Sequence, residues 1–360
     1  MTTSPLPPRL ARLIRQDVQG MHAYAVQPSA GLVKLDAMEN PHRLPPQLQR
    51  ALGERLGAVA LNRYPADRIG VLRDALARHA RAPQGFGLML GNGSDELISL
   101  LAMACDVPGA SILAPVPGFV MYAMSAQLQG LKFIPVDLTP DFELDEAAML
   151  AAIERHRPSI VYLAYPNNPT ANLWNDAAIE RIVQAAPGLV VIDEAYQPFA
   201  SRSYLDRLPH HPHVLLMRTL SKFGLAGVRI GYLIGPQALV AEIDKVRPPY
   251  NVSVLNCEAA LFALEHAEVF AQQAADIRRE RDRLLQRLAA LAPLKAWHSD
   301  ANMILVRVPD AGRTFQAMKA RGVLVKNVST MHPLLANCLR LTVGTAEENA
   351  QMLEALQASL

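Results

Sequence analysis

The sequence predicts an α/β fold built on a mostly parallel sheet flanked by helices, followed by a smaller α+β unit. Three observations predict it. From about residue 80 onward, seven short apolar runs end in turn residues, and most are separated by enough chain for a helical crossover. The runs are apolar on successive residues rather than alternating, the pattern of strands covered on both faces. After about residue 252 this rhythm gives way to long helical patterns and three further strand-like runs.

Taken in order, the chain before residue 80 is rich in proline and irregular, apart from a helical stretch at about 46–57, and reads as an arm with a partly ordered lead-in. The seven runs are GLML (87–90), SILA (111–114), KFIPV (132–136), SIVYLA (159–164), LVVID (189–193), VLLM (214–217) and RIGYLIG (229–235). Ligands of such a sheet are expected at the carboxyl ends of its strands. Then come a long helix at roughly 268–292, strands at NMILVRV (302–308), GVLVKNV (322–328) and LRLTV (339–343), and a closing helix at 346–358. The expected division is an N-terminal arm with part of the small domain (1–45), a large domain (46–252) and a small C-terminal domain (253–360). There is no internal repeat and no low-complexity segment.

At 360 residues, 51% apolar and 19% charged, the composition is that of a soluble globular protein. A net charge of +2, with basic residues interspersed among acidic ones, gives no case for nucleic acid and points to a small-molecule partner. Cys105, Cys257 and Cys338 form no C-x-x-C pair, which speaks against a zinc knuckle or a disulfide framework and fits a reducing compartment. No apolar h-region opens the chain, and no run of about 18 apolar residues could span a bilayer. A cytoplasmic protein without a membrane partner is expected.

The residues that carry chemistry cluster at strand ends. GNGSDE (91–96) follows one strand and opens a helix, so its backbone N–H groups either hold a phosphate or are capped by Ser94, with Asp95 and Glu96 complementing the dipole. In PVPGFVMY (115–122), Phe119 is either a stacking platform for a flat ring or core. YPNNPT (165–170) sets Asn168 before a proline, as a turn or as an amide aimed into a pocket. VIDEAY (191–196) puts Asp193 and Glu194 directly after a buried strand, where they reach solvent or one is paired with a cation. In RTLSKFGLAGVRIGY (218–232), Lys222 either snorkels to water or has given up its charge by forming an imine with an aldehyde. Together, in chain order, a phosphate cradle, an aromatic platform, an amide, an acid and a lysine with a trailing arginine describe one ligand, pyridoxal 5'-phosphate.

With NRYP (62–65), PPYNVS (248–253) and CLRLTVGT (338–345) added, the sequence resembles the class I/II aminotransferases of pyridoxal-phosphate fold type I, and within them the histidinol-phosphate branch. The resemblance covers nearly the whole chain. It implies a large domain with a mostly parallel seven-stranded sheet plus a smaller α+β domain. It implies Lys222 as the imine-forming lysine and later the general base, and Asp193 on the pyridine nitrogen. Tyr196 and Asn168 would lie on the ring hydroxyl and Phe119 on the ring face, with Ser94, Asp95, Thr219, Ser221 and Arg229 around the cofactor phosphate. Tyr64 would reach the phosphate of a partner subunit, which implies a homodimer. Arg340 would hold the substrate anion, with Tyr24 and Lys326 as helpers.

The implied reaction moves an amino group between L-histidinol phosphate and 2-oxoglutarate, giving imidazole-acetol phosphate and L-glutamate in histidine biosynthesis. The alternatives in the same family are an aromatic amino acid aminotransferase and a phosphothreonine decarboxylase. Three positions depart from the pattern: Phe119 stands where tyrosine is frequent, Ala171 where glycine is usual, and Lys326 at what resembles an arginine position. Ala171 implies that the turn cannot need a positive φ at that position without strain. A regulator on the same scaffold would need a DNA-binding segment for which the Pro-rich arm leaves no room. A catalytically dead homologue is disfavoured by the intact Lys222 and Asp193. The PHHPH run (209–213) reads as a solvated loop rather than a metal site, there being no nearby acid or cysteine ligand, and the 268–292 helix as a surface helix.

Overall fold

The computed structural model describes residues 7–21 and 26–360. Its strands are, in chain order, β1 Val33–Lys34, β2 Phe86–Gly91, β3 Ser111–Val116, β4 Lys132–Asp137, β5 Ile160–Ala164, β6 Leu189–Asp193, β7 Val214–Thr219, β8 Gly231–Pro236, β9 Lys295–Ala296, β10 Met303–Arg307, β11 Val323–Leu324, β12 Lys326–Asn327 and β13 Cys338–Thr342. Seven of them form one sheet in the order β2-β8-β7-β6-β5-β3-β4. All its pairings are parallel except those of β8, which runs against both β2 and β7.

The successive apolar residues of the central strands are explained by helices on both faces. Val161, Leu163, Val190 and Ile192 point into one core cluster, while Ile160, Tyr162, Val191 and Met217 point into another. Register then brings the chemistry together. Ala164 pairs with Asp193, Asp193 with Met217, Thr219 with Gly231 and Gly231 with Gly91. The carboxyl ends of β2, β5, β6 and β7 therefore share one edge with the amino end of the reversed β8.

The C-terminal region builds an antiparallel four-stranded sheet in the order β12-β13-β10-β9, and β1 pairs in parallel with β11. The helix Ala267–Ala289 buries Phe270, Ala274, Ile277, Leu284 and Leu288 along one stripe. Its charged face is outward, as expected, except that Arg281 is buried and donates to the carbonyls of Phe199 and Ala301.

Three expectations need correction. The segment taken as irregular before residue 80 contains the helix Arg68–Ala80, whose Leu72, Leu76 and Ala80 recur at four-residue spacing and are buried. The charged residues between them hid that stripe. GVLVKNV is not one strand: it splits into β11 and β12, which pair with different sheets. The PHHPH run is not simply solvated. His211 Nε2 lies 2.8 Å from Glu180 Oε1, an acid that was not expected there, and His213 Nε2 lies 3.0 Å from the Val183 carbonyl, so two of the three histidines dock on the helix Asp176–Ala185. Among the described residues no group of three or more His, Cys, Asp or Glu could hold a metal, and no helix is long and apolar enough to cross a membrane.

Candidate active site

A cleft of about 350 Å³ opens at the shared strand edge. Its wall brings together ten residues singled out from the sequence: Ser94, Asp95, Phe119, Asn168, Asp193, Tyr196, Thr219, Ser221, Lys222 and Arg229. Of the others, Arg340 reaches the wall through Asn168, donating to its Oδ1 at 2.7 Å. Lys326 is half-buried on β12, in register with Arg340 on β13 but outside the cleft wall. Tyr64 is 73% exposed and stacks on Tyr250 at 4.3 Å, also outside the wall. Tyr24 lies outside the described residues.

At one end of the cleft the helix Ser94–Ala104 begins. Ser94 is its first residue and not its N-cap, a correction to the capping alternative: the N-cap is Gly93, at φ 83°, which has no side chain to cap with. The helix therefore offers uncapped N–H groups and the positive end of its dipole to the cleft. A Cβ on Gly93 would lie 2.5 Å from Arg229 Nη2, and one on Gly231 would lie 2.6 Å from the Ser94 nitrogen. Gly231 is required by close approach to backbone, whereas Gly93 is favoured by its φ of 83°, the Arg229 tip being free to move aside. Thr219 and Ser221 share a hydroxyl contact of 3.0 Å, Arg229 Nη1 donates to Ser221 Oγ at 3.3 Å, and Arg229 Nη2 stands 3.6 Å from Asp95 Oδ2. Hydroxyls, amides, a dipole and a guanidinium converge here, a site for a dianion such as a phosphate ester.

Lys222 sits in the tight turn Ser221–Leu225, which Gly224 permits by taking φ 134°. Its Nζ donates to the Ala37 carbonyl at 2.9 Å and lies 5.8 Å from the Tyr196 ring centroid. Burial, and secondarily the Arg340 charge, lower its pKa to about 7, while Glu39 and Asp95 act the other way. The amine is thus poised to shed its proton near neutrality, as a nucleophile or base requires.

Neither acid of VIDEAY reaches solvent: Asp193 is 4% and Glu194 1% exposed. Glu194 is the one paired with a cation. It accepts from Arg218 Nε and Nη2 at 3.0 and 2.8 Å, and from Ser203 Oγ and the Tyr204 amide. Asp193 instead faces the cleft, accepting from the Tyr122 hydroxyl at 2.6 Å and from the Ala195 amide at 3.0 Å. Burial lifts its pKa to about 6 against those two bonds, and Asp95 and Glu194 add to the rise.

The turn after Asn168 does use a positive φ: Ala171 has φ 66°, with its N–H on the Asn167 carbonyl at 2.8 Å and its own carbonyl accepting from the Asp300 amide at 2.7 Å. The methyl is therefore held in the left-handed region, at a cost of about 1 kcal/mol. Tyr122, Ala37 and Glu39 are among the wall residues that the sequence reading did not single out. Tyr122 lies one helical turn past Phe119, and that i,i+3 spacing was the available signal. Ala37 and Glu39 come from a remote segment, and no local pattern announces them.

The aminotransferase class I and II family model matches residues 30–356. A histidinol-phosphate aminotransferase of Polaromonas naphthalenivorans is 73% identical over 360 residues, covering 99% of both chains. One from Methylibium petroleiphilum is 74% identical over 359 residues, covering 99% of this chain and 97% of that one. Among solved structures, the histidinol-phosphate aminotransferase of Sinorhizobium meliloti in complex with pyridoxal-5'-phosphate superposes with a TM-score of 0.83 at 25% identity, covering 96% of this chain and 97% of that one. With a cleft of this construction at the expected strand edge, and a family match over nearly its whole length, the chain belongs to the class I and II aminotransferases.

Proposed function

We propose that the protein is a pyridoxal-phosphate-dependent transaminase that moves the amino group between L-histidinol phosphate and 2-oxoglutarate, giving imidazole-acetol phosphate and L-glutamate in L-histidine biosynthesis. The observation that carries this reading is the single cleft holding a depressed-pKa lysine, a buried carboxylate and an anion cup, in a chain 73% identical to a protein of that name. The cleft fits the cofactor on the chain's own features: the cup at Gly231 has no room for a Cβ, and Asp193 is a buried acid aimed into the open space.

Bound pyridoxal phosphate supplies an aldehyde for amine exchange and an electron sink for the electrons left when the Cα–H bond breaks. In this reading Lys222 would hold the aldehyde, and its amine would serve as the base for the substrate Cα proton, a role suited by its near-neutral pKa. Asp193 would hold a proton on the ring nitrogen. Tyr196 and Asn168 hold the ring hydroxyl, with the Asn168 Oδ1 already engaged by Arg340, so that its amide nitrogen is the donating end. Phe119 would cover the ring face. The backbone N–H groups of Ser94 and Asp95, with Thr219, Ser221 and Arg229, would hold the phosphate.

Arg340 clamps the substrate anion, whether phosphate or carboxylate, since guanidinium pairs with either through two parallel bonds. Tyr24 and Lys326 assist it. The exposed Tyr64 reaches the neighbouring site of a homodimer, which its exposure supports. The division into 1–45, 46–252 and 253–360 belongs to the same reading and is supported by the core cluster that gathers Leu35 and Met38 with Met303, Leu341 and Met352. A cytoplasmic location is supported by three unpaired cysteines.

The test is spectroscopic and kinetic. The purified protein should be yellow, borohydride should fix the cofactor on Lys222, and histidinol phosphate should bleach the visible band. Histidinol phosphate should exceed phenylalanine and phosphothreonine in kcat/KM. A preference for either competitor overturns the substrate assignment.

A further inference from the structure

We propose that Tyr122 is a positioning residue of this site: its hydroxyl aims the Asp193 carboxylate and keeps it ionised, so that the proton shared with the cofactor's ring nitrogen stays on the nitrogen. The proposal rests on the reading that Asp193 faces that nitrogen.

The geometry leaves Tyr122 little freedom. It is 2% exposed on the helix Val120–Gln129, its ring stacked on Tyr162 at 4.3 Å and 8°, with Phe119 set edge-on at 5.7 Å and 85°. Two aromatic neighbours fix the ring, and the ring fixes where the hydroxyl points. That hydroxyl meets Asp193 Oδ2 at 2.6 Å, while Oδ1 takes the Ala195 amide at 3.0 Å, so each carboxylate oxygen has one donor.

The other charged or titratable groups facing the pair do not support the negative charge. Asp95 and Glu194 repel it, and Tyr162 and Tyr196 lie against Tyr122 as neutral phenols. Two hydrogen bonds must therefore sustain a buried carboxylate. Removing one shifts the shared proton from nitrogen to oxygen, and a ring nitrogen that has lost its proton is a poorer electron sink. The same side chain touches the ring platform through Phe119, which ties the tilt of the platform to the aim of the acid.

The experiment compares the parent holoenzyme with Tyr122→Phe, Asp193→Asn and Tyr162→Phe, each loaded with ¹⁵N-pyridine-labelled cofactor. Tyr122→Phe removes one oxygen and keeps both stacks. A hydrogen bond to a charged group is worth at least a factor of about ten in this proton partition. In Tyr122→Phe the ¹⁵N resonance should move from the pyridinium toward the pyridine position, the pKa of the visible chromophore should rise by about one unit or more, and kcat should fall roughly tenfold or more with KM little changed. Tyr162→Phe should leave all three as in the parent.

A purely structural Tyr122 would lower Tm without moving the nitrogen resonance or the chromophore pKa, and that result overturns the proposal. If Asp193→Asn itself leaves the nitrogen resonance unmoved, it is the underlying site assignment that fails. A measurement on the parent needs no variant: the Tyr122 ¹³Cζ resonance of the cofactor-free protein should titrate well above the ordinary tyrosine range, because burial and the facing carboxylate disfavour the phenolate. An ordinary titration there also overturns the proposal.

Discussion

Replacing Gly231 by alanine should damage the anion cup from behind. The new Cβ would stand 2.6 Å from the Ser94 nitrogen and 2.7 Å from the Gly93 carbonyl carbon, against an ordinary contact of about 3.4 Å, so the two backbones must part by about 0.8 Å. Sideways relief is blocked because Gly231 is laddered to Thr219 on one side and Gly91 on the other. Overpacking of this kind costs about 1–3 kcal/mol of stability. The displaced Ser94 amide also loses its aim at the phosphate, and a bond to a charged group contributes about 1.5–3 kcal/mol, which is roughly 10- to 100-fold in affinity. Titration of the cofactor-free variant with pyridoxal phosphate, together with its melting curve, reads both effects. Gly70→Ala is the control, since nothing lies within 4 Å of its Cβ position. Cofactor affinity within threefold of the parent and an unchanged Tm would refute the claim that the cup depends on the bare backbone of Gly231.

Arg218→Met should cost about 3–5 kcal/mol, because it strands the 1%-exposed Glu194 carboxylate; pairing it with Glu194→Gln should recover much of that in denaturant melts, and additive losses would contradict the coupling. In cofactor-free protein, Asp193 has a pKa raised from 3.8 to about 6, so the folded state binds the extra proton and stability falls as pH rises through that window. A shift of about two units corresponds to about 3 kcal/mol, and the parent-minus-Asp193→Asn difference in Tm should carry that slope between pH 4 and 6. Lys222 has the opposite consequence: its pKa is lowered from 10.5 to about 7, so the unfolded chain binds the extra proton and stability rises with pH across that interval, an effect Lys222→Met should abolish. Ala171→Gly should relieve left-handed strain of about 1 kcal/mol while losing a buried methyl and restoring chain entropy, leaving Tm within about 2 °C of the parent; a large loss would show that the methyl's packing outweighs its backbone.

What could be read from the sequence follows the range of the interactions. Six of the seven strands were visible because burial on both faces demands continuous apolar runs, and the acid, the lysine and the GNGSDE cradle because each sits where a strand ends in a turn. The helix Arg68–Ala80 was hidden by charged residues crossing a narrow stripe of Leu72 and Leu76. The cation for Glu194 was foreseen as a need but not as Arg218, since the partner lies one strand over in the sheet. Tyr122 could have been found by asking which side chain shares the helix face of Phe119. Ala37 could not: a backbone carbonyl carries no side-chain signature, and it is the fold that brings it to Lys222.

That carbonyl has a neighbour with the same duty. Arg340 donates to the carbonyl of Asp36 at 2.7 Å and Lys222 to that of Ala37 at 2.9 Å, so a side chain from β13 and one from the turn after β7 hang from consecutive peptide units. The next residue, Met38, is pinned to the C-terminal sheet side by its amide on Thr342 Oγ1 and its carbonyl on Asn302 Nδ2. Because these tethers fall on consecutive peptide units, one short backbone segment positions both the Lys222 amine and the Arg340 guanidinium.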